Sequence, residues 1–357
     1  MTTPPRMDVA KLEAFTQKIL ADLSGASASV LGIIGDRLGL FKELASNGPA
    51  TSEELAGRAG IDERYAREWL GGMASAGYLE YDPTGRRFTL PPEHAPALAH
   101  EGGPRFVGGR YQLLQGHLHP LNQIIQAFRQ GGGVPQSAYD DNLWDGLERH
   151  GNVRYENLLL QQWIPAMPGV QAKLERGVLA ADVGCGRGKA LIVLAQAFPN
   201  SRYVGFDSFG PIVAHATANA EAAGVGDRVT FRQQDVAQGL AEQYDIITTF
   251  DVLHDAVDPR GLARTIRGAL KPDGTYVLME INSSDKLEEN AGPHGTMFHV
   301  SSIMYCMTTS LAGGGEGLGT LGLPESKLRE LCAEAGFGTV RRLPLENPLN
   351  IVYEVKP

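Results

Sequence analysis

The residues best able to do chemistry sit at the ends of short apolar runs. Asp182 stands next to last in LAADV and is followed by Gly184, Gly186 and Gly188, then by the helical-looking KALIVLA. A glycine turn after a strand lets backbone amides approach a ligand that side chains would hold off. Asp207 ends YVGFD, Asp235 ends FRQQD with Val236 after it, and Phe250 with Asp251 ends DIITTFD. His254 follows in FDVLHDAVDP, and an imidazole with a pKa near ~6.5 can take a proton at neutral pH. Each acid alone could cap a helix or solvate a loop; four of them on successive strand ends are hard to obtain by accident. A dinucleotide fingerprint needs glycines at its first, third and sixth positions. Lys189 stands at the sixth, so nicotinamide and flavin cofactors lose their best support.

These positions need a parallel sheet to bring them to one edge, and the chain from Gly177 supplies it. GVLAADVG, SRYVGFD, RVTFRQQD, YDIITTFDVL and TYVLMEI are strand-like runs separated by helical segments, with KPDG (271–274) as the turn before the fifth. This rhythm predicts a doubly wound, Rossmann-like α/β domain over 177–357. Pro324 to Ala335 reads as another helix, and GTVRRLPL with NIVYEVK as a closing hairpin. Before it, residues 1–100 read as helix, turn, helix, hairpin, a winged helix. Two helices are expected between Met7 and Phe41, Thr51 and Glu54 form a capping box, the next helix stops at Gly60, and Asp62 caps another. YLEYD and RRFTL make the wing. The intervening 101–176 is helical and aromatic-rich, a connector able to cover a pocket, broken at Pro120, Gly131 to Gly133 and Pro135.

Composition bounds the function. The chain has 357 residues and a formal charge of −9, which disfavours nucleic acid or an anionic membrane as main partner. The helix after Asp62 sets Arg64 and Arg67 against Asp62, Glu63 and Glu68, so packing or dimerisation fits it better than DNA reading; Arg86 and Arg87 in the wing argue the other way. Cys185, Cys306 and Cys332 form no CxxC pair and no disulfide framework. A reducing, cytoplasmic setting follows, with no signal peptide or membrane span read from the sequence. His117 and His119 lack an acidic or cysteine partner in order, so no metal site is expected there. Only the tip MTTPPRM reads as disordered.

The spacing Asp182, Gly184, Gly186, Gly188 resembles the first motif of class I S-adenosyl-L-methionine-dependent methyltransferases. That resemblance implies S-adenosyl-L-methionine as cofactor, with Asp207 accepting both ribose hydroxyls and Ser208 beside it. It places Asp235 and Val236 near the adenine amino group and Phe250 at the cleft. Cys185 is then a small side chain where bulk would obstruct the cofactor. The winged helix and connector match the layout of bacterial and plant small-molecule methyltransferases that dimerise through such a domain, which implies a homodimer. His254 matches the general base of plant phenolic O-methyltransferases, where two glutamates flank it. Glu280 in LMEINSS fits the first, and Glu316 in AGGGEGLGT fits the second more loosely because its loop is longer.

The stretch from Gly292 to Thr320 carries Met297, Phe298, Met304, Tyr305 and Met307, residues suited to an adaptable apolar acceptor pocket or to core contacts. His294 and His299 are alternative bases. A small-molecule acceptor is expected, methylated on oxygen in preference to nitrogen, carbon or sulfur. A winged-helix transcriptional regulator and a catalytically silent S-adenosylmethionine-binding protein are the competing readings.

Overall fold

The computed structural model describes residues 7–357; the tip MTTPPRM lies outside the described residues except for Met7. Two compact units divide between Gln115 and Gly116.

In the first unit, α1 runs unbroken from Val9 to Arg37, with Asp8 capping it by accepting from the amides of Ala10 and Lys11 at 3.0 and 3.2 Å. Two helices were expected there. The small-residue stretch SGASAS contains no proline, so one glycine weakens the helix without removing a hydrogen bond. Next come α2 (Leu40–Asn47), α3 (Ser52–Ala59) and α4 (Glu63–Ser75). The capping box forms, with Glu54 N donating to Thr51 Oγ1 at 3.3 Å and Thr51 N to Glu54 at 3.1 Å, and α3 ends on left-handed Gly60. Asp62 caps α4. Phe41, Leu44, Leu55, Trp69, Leu70 and Met73 form the core, and Trp69 donates to the Leu31 carbonyl at 2.8 Å.

Strands β1 (Glu80–Asp82) and β2 (Arg87–Thr89) pair as the antiparallel wing, and Ala50 bridges to Phe88. Three of the helix and wing arginines are engaged by acids, Arg67 by Glu63 at 2.5 Å, Arg64 by Glu68, and Arg87 by Glu54 at 2.6 Å, while Arg86 lies exposed in the turn of the wing. Short α5 (Ala95–Leu98) follows, and α6 (Gly108–Leu118) contains the division between units. By length and composition α1 could span a membrane, although it carries Lys11, Glu13, Lys18 and Asp22.

The second unit begins with α7 (Leu121–Gln130), α8 (Asp141–Arg154), a π-helical stretch (Tyr155–Trp163) and α9 (Pro168–Arg176). Seven strands then form one sheet in the order β5-β4-β3-β6-β7-β9-β8. They are β3 (Leu179–Val183), β4 (Arg202–Asp207), β5 (Val229–Gln233), β6 (Tyr244–Phe250), β7 (Leu270–Ile281), β8 (Thr339–Arg342) and β9 (Asn350–Lys356). The first five are parallel and β9 enters antiparallel, its hairpin with β8 closing the edge. KPDG lies inside β7, looped out between Leu270, which pairs with Tyr244, and Thr275, which pairs with Ile246.

Alternate residues of each strand feed two apolar layers, Ala180, Ile246 and Val277 on one face and Ala181, Ile247 and Leu278 on the other. The covering helices include α10 (Lys189–Ala197), α11 (Gly210–Ala222), α12 (Pro259–Ala269), α13 (Gly292–Ser301), α14 (Met307–Ala312) and α15 (Glu325–Glu334). A second π turn, Ser302–Cys306, joins α13 to α14. Strand order reverses between β3 and β6, and ligands of such sheets bind beyond the strand ends at that point.

Candidate active site

The turn after β3 is built by its own glycines. Gly184, Gly186 and Gly188 take φ of 69°, 51° and 82°, the left-handed region a side chain resists. A Cβ on Gly184 would lie 2.5 Å from Val252 and one on Gly188 2.3 Å from the Phe231 ring, whereas Gly186 has nothing within 4 Å. The open side of the turn is therefore over Gly186. Its amide donates to Asp207 Oδ2 at 3.1 Å, and Phe209 N donates to Oδ1 at 3.0 Å. Burial raises the pKa of Asp207 against these amides, which favour the ionised form. Asp182 lies buried at the end of β3 and accepts from Thr248 Oγ1 at 2.6 Å; burial pushes its pKa up to about 7.

The other candidates for the cofactor end differ. Asp235 caps a short 3-10 turn, accepting from Ala237 N at 3.0 Å. Val236 is buried, and exposed Ser208 offers its carbonyl to Gln233 at 3.3 Å. Phe250 points into the core, its ring centroid 5.7 Å from Trp163 and 5.5 Å from Tyr155. Connector acids hold the cations of the turn: Arg187 pairs with Asp145 and Glu148, each at 2.7 Å, and Lys189 with Glu156 at 2.5 Å.

Beyond β6 the chain turns sharply, with Asp251 at φ 59°. Asn350 at the start of β9 donates to Asp251 at 2.7 Å, and the half-buried Arg154 at the end of α8 pairs with Asp251 as well. This bracket fixes the turn that presents His254. His254 is only 3 % exposed and donates from Nδ1 to Glu280 Oε2 at 2.6 Å, while Leu253 N donates to Glu280 Oε1 at 2.7 Å. Burial alone would lower the pKa of His254. The Glu280 carboxylate overrides it, with a further contribution from the contacting Cys306, and holds the imidazole well above its ordinary value. Next to it, burial lifts Asp255 to about 7, partly opposed by His254.

Four aromatic rings stand over the same region. Trp144 lies 5.0 Å from Phe209 and 6.0 Å from Tyr305, and Tyr139 lies 5.6 Å from Tyr305. Gln136 donates to the Tyr305 hydroxyl at 3.1 Å. Tyr305 is thus drawn into the site, whereas His294, Met297 and His299 are exposed along α13. Glu316 is not brought to His254: its carboxylate faces Arg260 at 3.6 Å, and the thiol touching His254 belongs to Cys306. The long glycine-rich loop reaches the turn after β6 with its backbone, Glu316 N donating to Val257 O at 3.3 Å and Gly319 N to His254 O at 3.1 Å. Its carboxylate is left on the outer side.

Sequence reasoning did not single out Arg154, Asn350, Trp144, Phe209, Tyr139 or Cys306 for the site. The aromatic richness of the connector was the available signal for two of them. Arg154 and Asn350 carry no local signal, since their partner Asp251 is 97 and 99 residues away.

Comparison with known proteins adds family information. Residues 26–100 match an Rv2258c-like winged HTH domain, and residues 174–327 match a methyltransferase domain. The chain is 23 % identical to the mitomycin biosynthesis 6-O-methyltransferase of Streptomyces lavendulae, over 98 % of this chain and 97 % of that one. Its fold matches the mitomycin 7-O-methyltransferase MmcR with a TM-score of 0.70 at 20 % identity, covering 98 % of this chain and 100 % of that chain. Human N-acetylserotonin methyltransferase in complex with SAM matches with a TM-score of 0.63 at 16 % identity, covering 100 % and 99 %.

Proposed function

Because this chain belongs to the class I S-adenosyl-L-methionine-dependent methyltransferases and carries a winged-helix domain ahead of the catalytic one, we propose that it methylates a hydroxyl oxygen of a small, partly aromatic acceptor, with His254 as the base. The bound cofactor supplies an electrophilic methyl group on a sulfonium. The residues present suit it: the open side of the turn at Gly186 leaves room for close backbone approach, and the Asp207 carboxylate, held by the amides of Gly186, Phe209 and Ser208, has acceptor capacity left for a ribose hydroxyl. Asp235 and Val236 take the adenine end, with Asp235 turning from its cap, and Ser208 flanks the ribose. Phe250 acts from behind as a wall of the cleft, and Asp182 stiffens the strand end beneath the turn.

The protein positions the acceptor and removes its proton. His254 takes that proton on Nε2, because Nδ1 is committed to Glu280. Glu280 fixes the tautomer and stabilises the imidazolium that forms. Tyr139, Trp144 and Tyr305 form the acceptor-side wall, so a planar acceptor can lie against them. The buried His254–Glu280 pair at 2.6 Å carries this reading.

The test is His254→Ala. Turnover on hydroxylated aromatic acceptors, followed as S-adenosylhomocysteine release, is expected to fall about 10²–10⁴-fold, with cofactor binding by calorimetry unchanged. Turnover equal to wild type would remove His254 from the mechanism. We further read the working form as a homodimer, because Leu12, Phe15, Ile19, Leu20 and Leu23 of α1 lie exposed and call for a cover.

A further inference from the structure

Around His254 the chain gathers more metal-donor chemistry than proton transfer needs. One nitrogen of His254, a carboxylate oxygen of Asp255 and the Sγ of Cys306 all lie within 4.8 Å of one another. They come from two elements, the turn after β6 and the π turn Ser302–Cys306, so the cluster exists only in the folded chain. Cys306 is a buried free thiol. Glu280 holds Nδ1 at 2.6 Å, which leaves Nε2 as the ring nitrogen free to ligate an ion. A carboxylate behind a ligating histidine is the usual support of a zinc site, and nitrogen, sulfur and oxygen donors together select a borderline-soft ion. Tetrahedral zinc ligands sit roughly 3.3–3.8 Å apart, so side-chain rotations of roughly 1 Å would close this set.

We infer that His254 Nε2, Asp255 and Cys306 form a binding site for a divalent zinc-like ion, and that the ion silences methyl transfer by occupying the nitrogen that accepts the proton. Binding itself rests on the geometry alone; the silencing rests on His254 being the base. On binding, the Cys306 thiol, the Nε2–H of a protonated His254 and a protonated Asp255 carboxyl each release their proton to solvent, and the freed sulfur, nitrogen and oxygen lone pairs bond to the ion. The fourth position of a tetrahedral ion remains open toward water or acceptor.

Full-length protein freed of metal by chelation is titrated with Co²⁺ and the absorption spectrum recorded, with Zn²⁺ added afterwards as competitor. The expected result is a saturable sulfur-to-cobalt charge-transfer band, bleached by Zn²⁺ and absent in Cys306→Ser. Calorimetry with Zn²⁺ should give affinity at least about tenfold weaker in Asp255→Asn, circular dichroism confirming that both variants fold. If Cys306→Ser does not fold, the Asp255→Asn affinity and the wild-type band decide. Absence of a band, or a band unchanged in Cys306→Ser, overturns the site, whatever the turnover of the metal-free enzyme. A confirmed band with turnover unaffected by Zn²⁺ overturns the silencing and leaves metal-free turnover of His254→Ala to judge the base.

Discussion

Burial and a carboxylate pull His254 in opposite directions, and the carboxylate wins. A base is useful only when unprotonated, so turnover should rise with pH through a limb lying above the ordinary histidine value. Glu280→Gln removes the charge that raises it; the limb should move to lower pH and maximal turnover should fall, read from kcat/KM profiles of both proteins. The same shift has a stability sign. The folded pKa is raised, so the pair stabilises the fold fully below about pH 6.5, and that contribution is lost as pH rises through the folded pKa. On the proposed cofactor role, Asp207→Ala deletes the acceptor for two ribose hydroxyls, each charge-assisted bond contributing about 1.5–3 kcal/mol. Affinity for S-adenosylhomocysteine by calorimetry should fall at least about tenfold. The places of Asp207, His254 and Glu280 at or just past strand ends were legible in the sequence because each follows an apolar run; the roles proposed for them came from the family resemblance. Cys306 was not, because a cysteine in a helical run looks like any small core residue, and only the fold brings it to His254.

The glycine turn shows how little freedom the elements around the site have. In Gly188→Ala the new methyl would meet the Phe231 ring at 2.3 Å with φ at 82°. A loss of about 1–3 kcal/mol is expected from denaturant unfolding, together with loss of cofactor binding. A variant as stable as the parent would show that the turn can shift. Strand identities, the capping box and the closing hairpin were legible because each is written locally in two-residue alternation or a four-residue motif. Three features were not. The unbroken α1 is held against α4 by Trp69 and its neighbours, which no local pattern records. KPDG keeps its turn chemistry but sits inside β7, because pairing to β6 resumes on both sides of it. The π turn ending at Cys306 is a tertiary accommodation of the kind often found at functional sites.

At the scale of the molecule, the charge of −9 and the pairing of Arg64, Arg67 and Arg87 with acids leave the winged helix poorly equipped to grip phosphates. The exposed apolar residues of α1 are those the proposed homodimer would cover. On that proposal, the parent should sediment as a dimer and Phe15→Glu together with Leu23→Glu as a monomer in sedimentation velocity, with the far-ultraviolet spectrum retained; a variant that still sediments as a dimer would locate the interface elsewhere. Sequence pattern could not supply this, since an apolar stripe reads the same whether it meets its own core or a partner. The placement of β9 between β7 and β8 also governs the order of assembly. Residues 350–356 are the keystone of the larger sheet: during synthesis β7 must wait with an open rim until they emerge, and a chain interrupted before Asn350 would expose that rim to any passing strand, inviting aggregation.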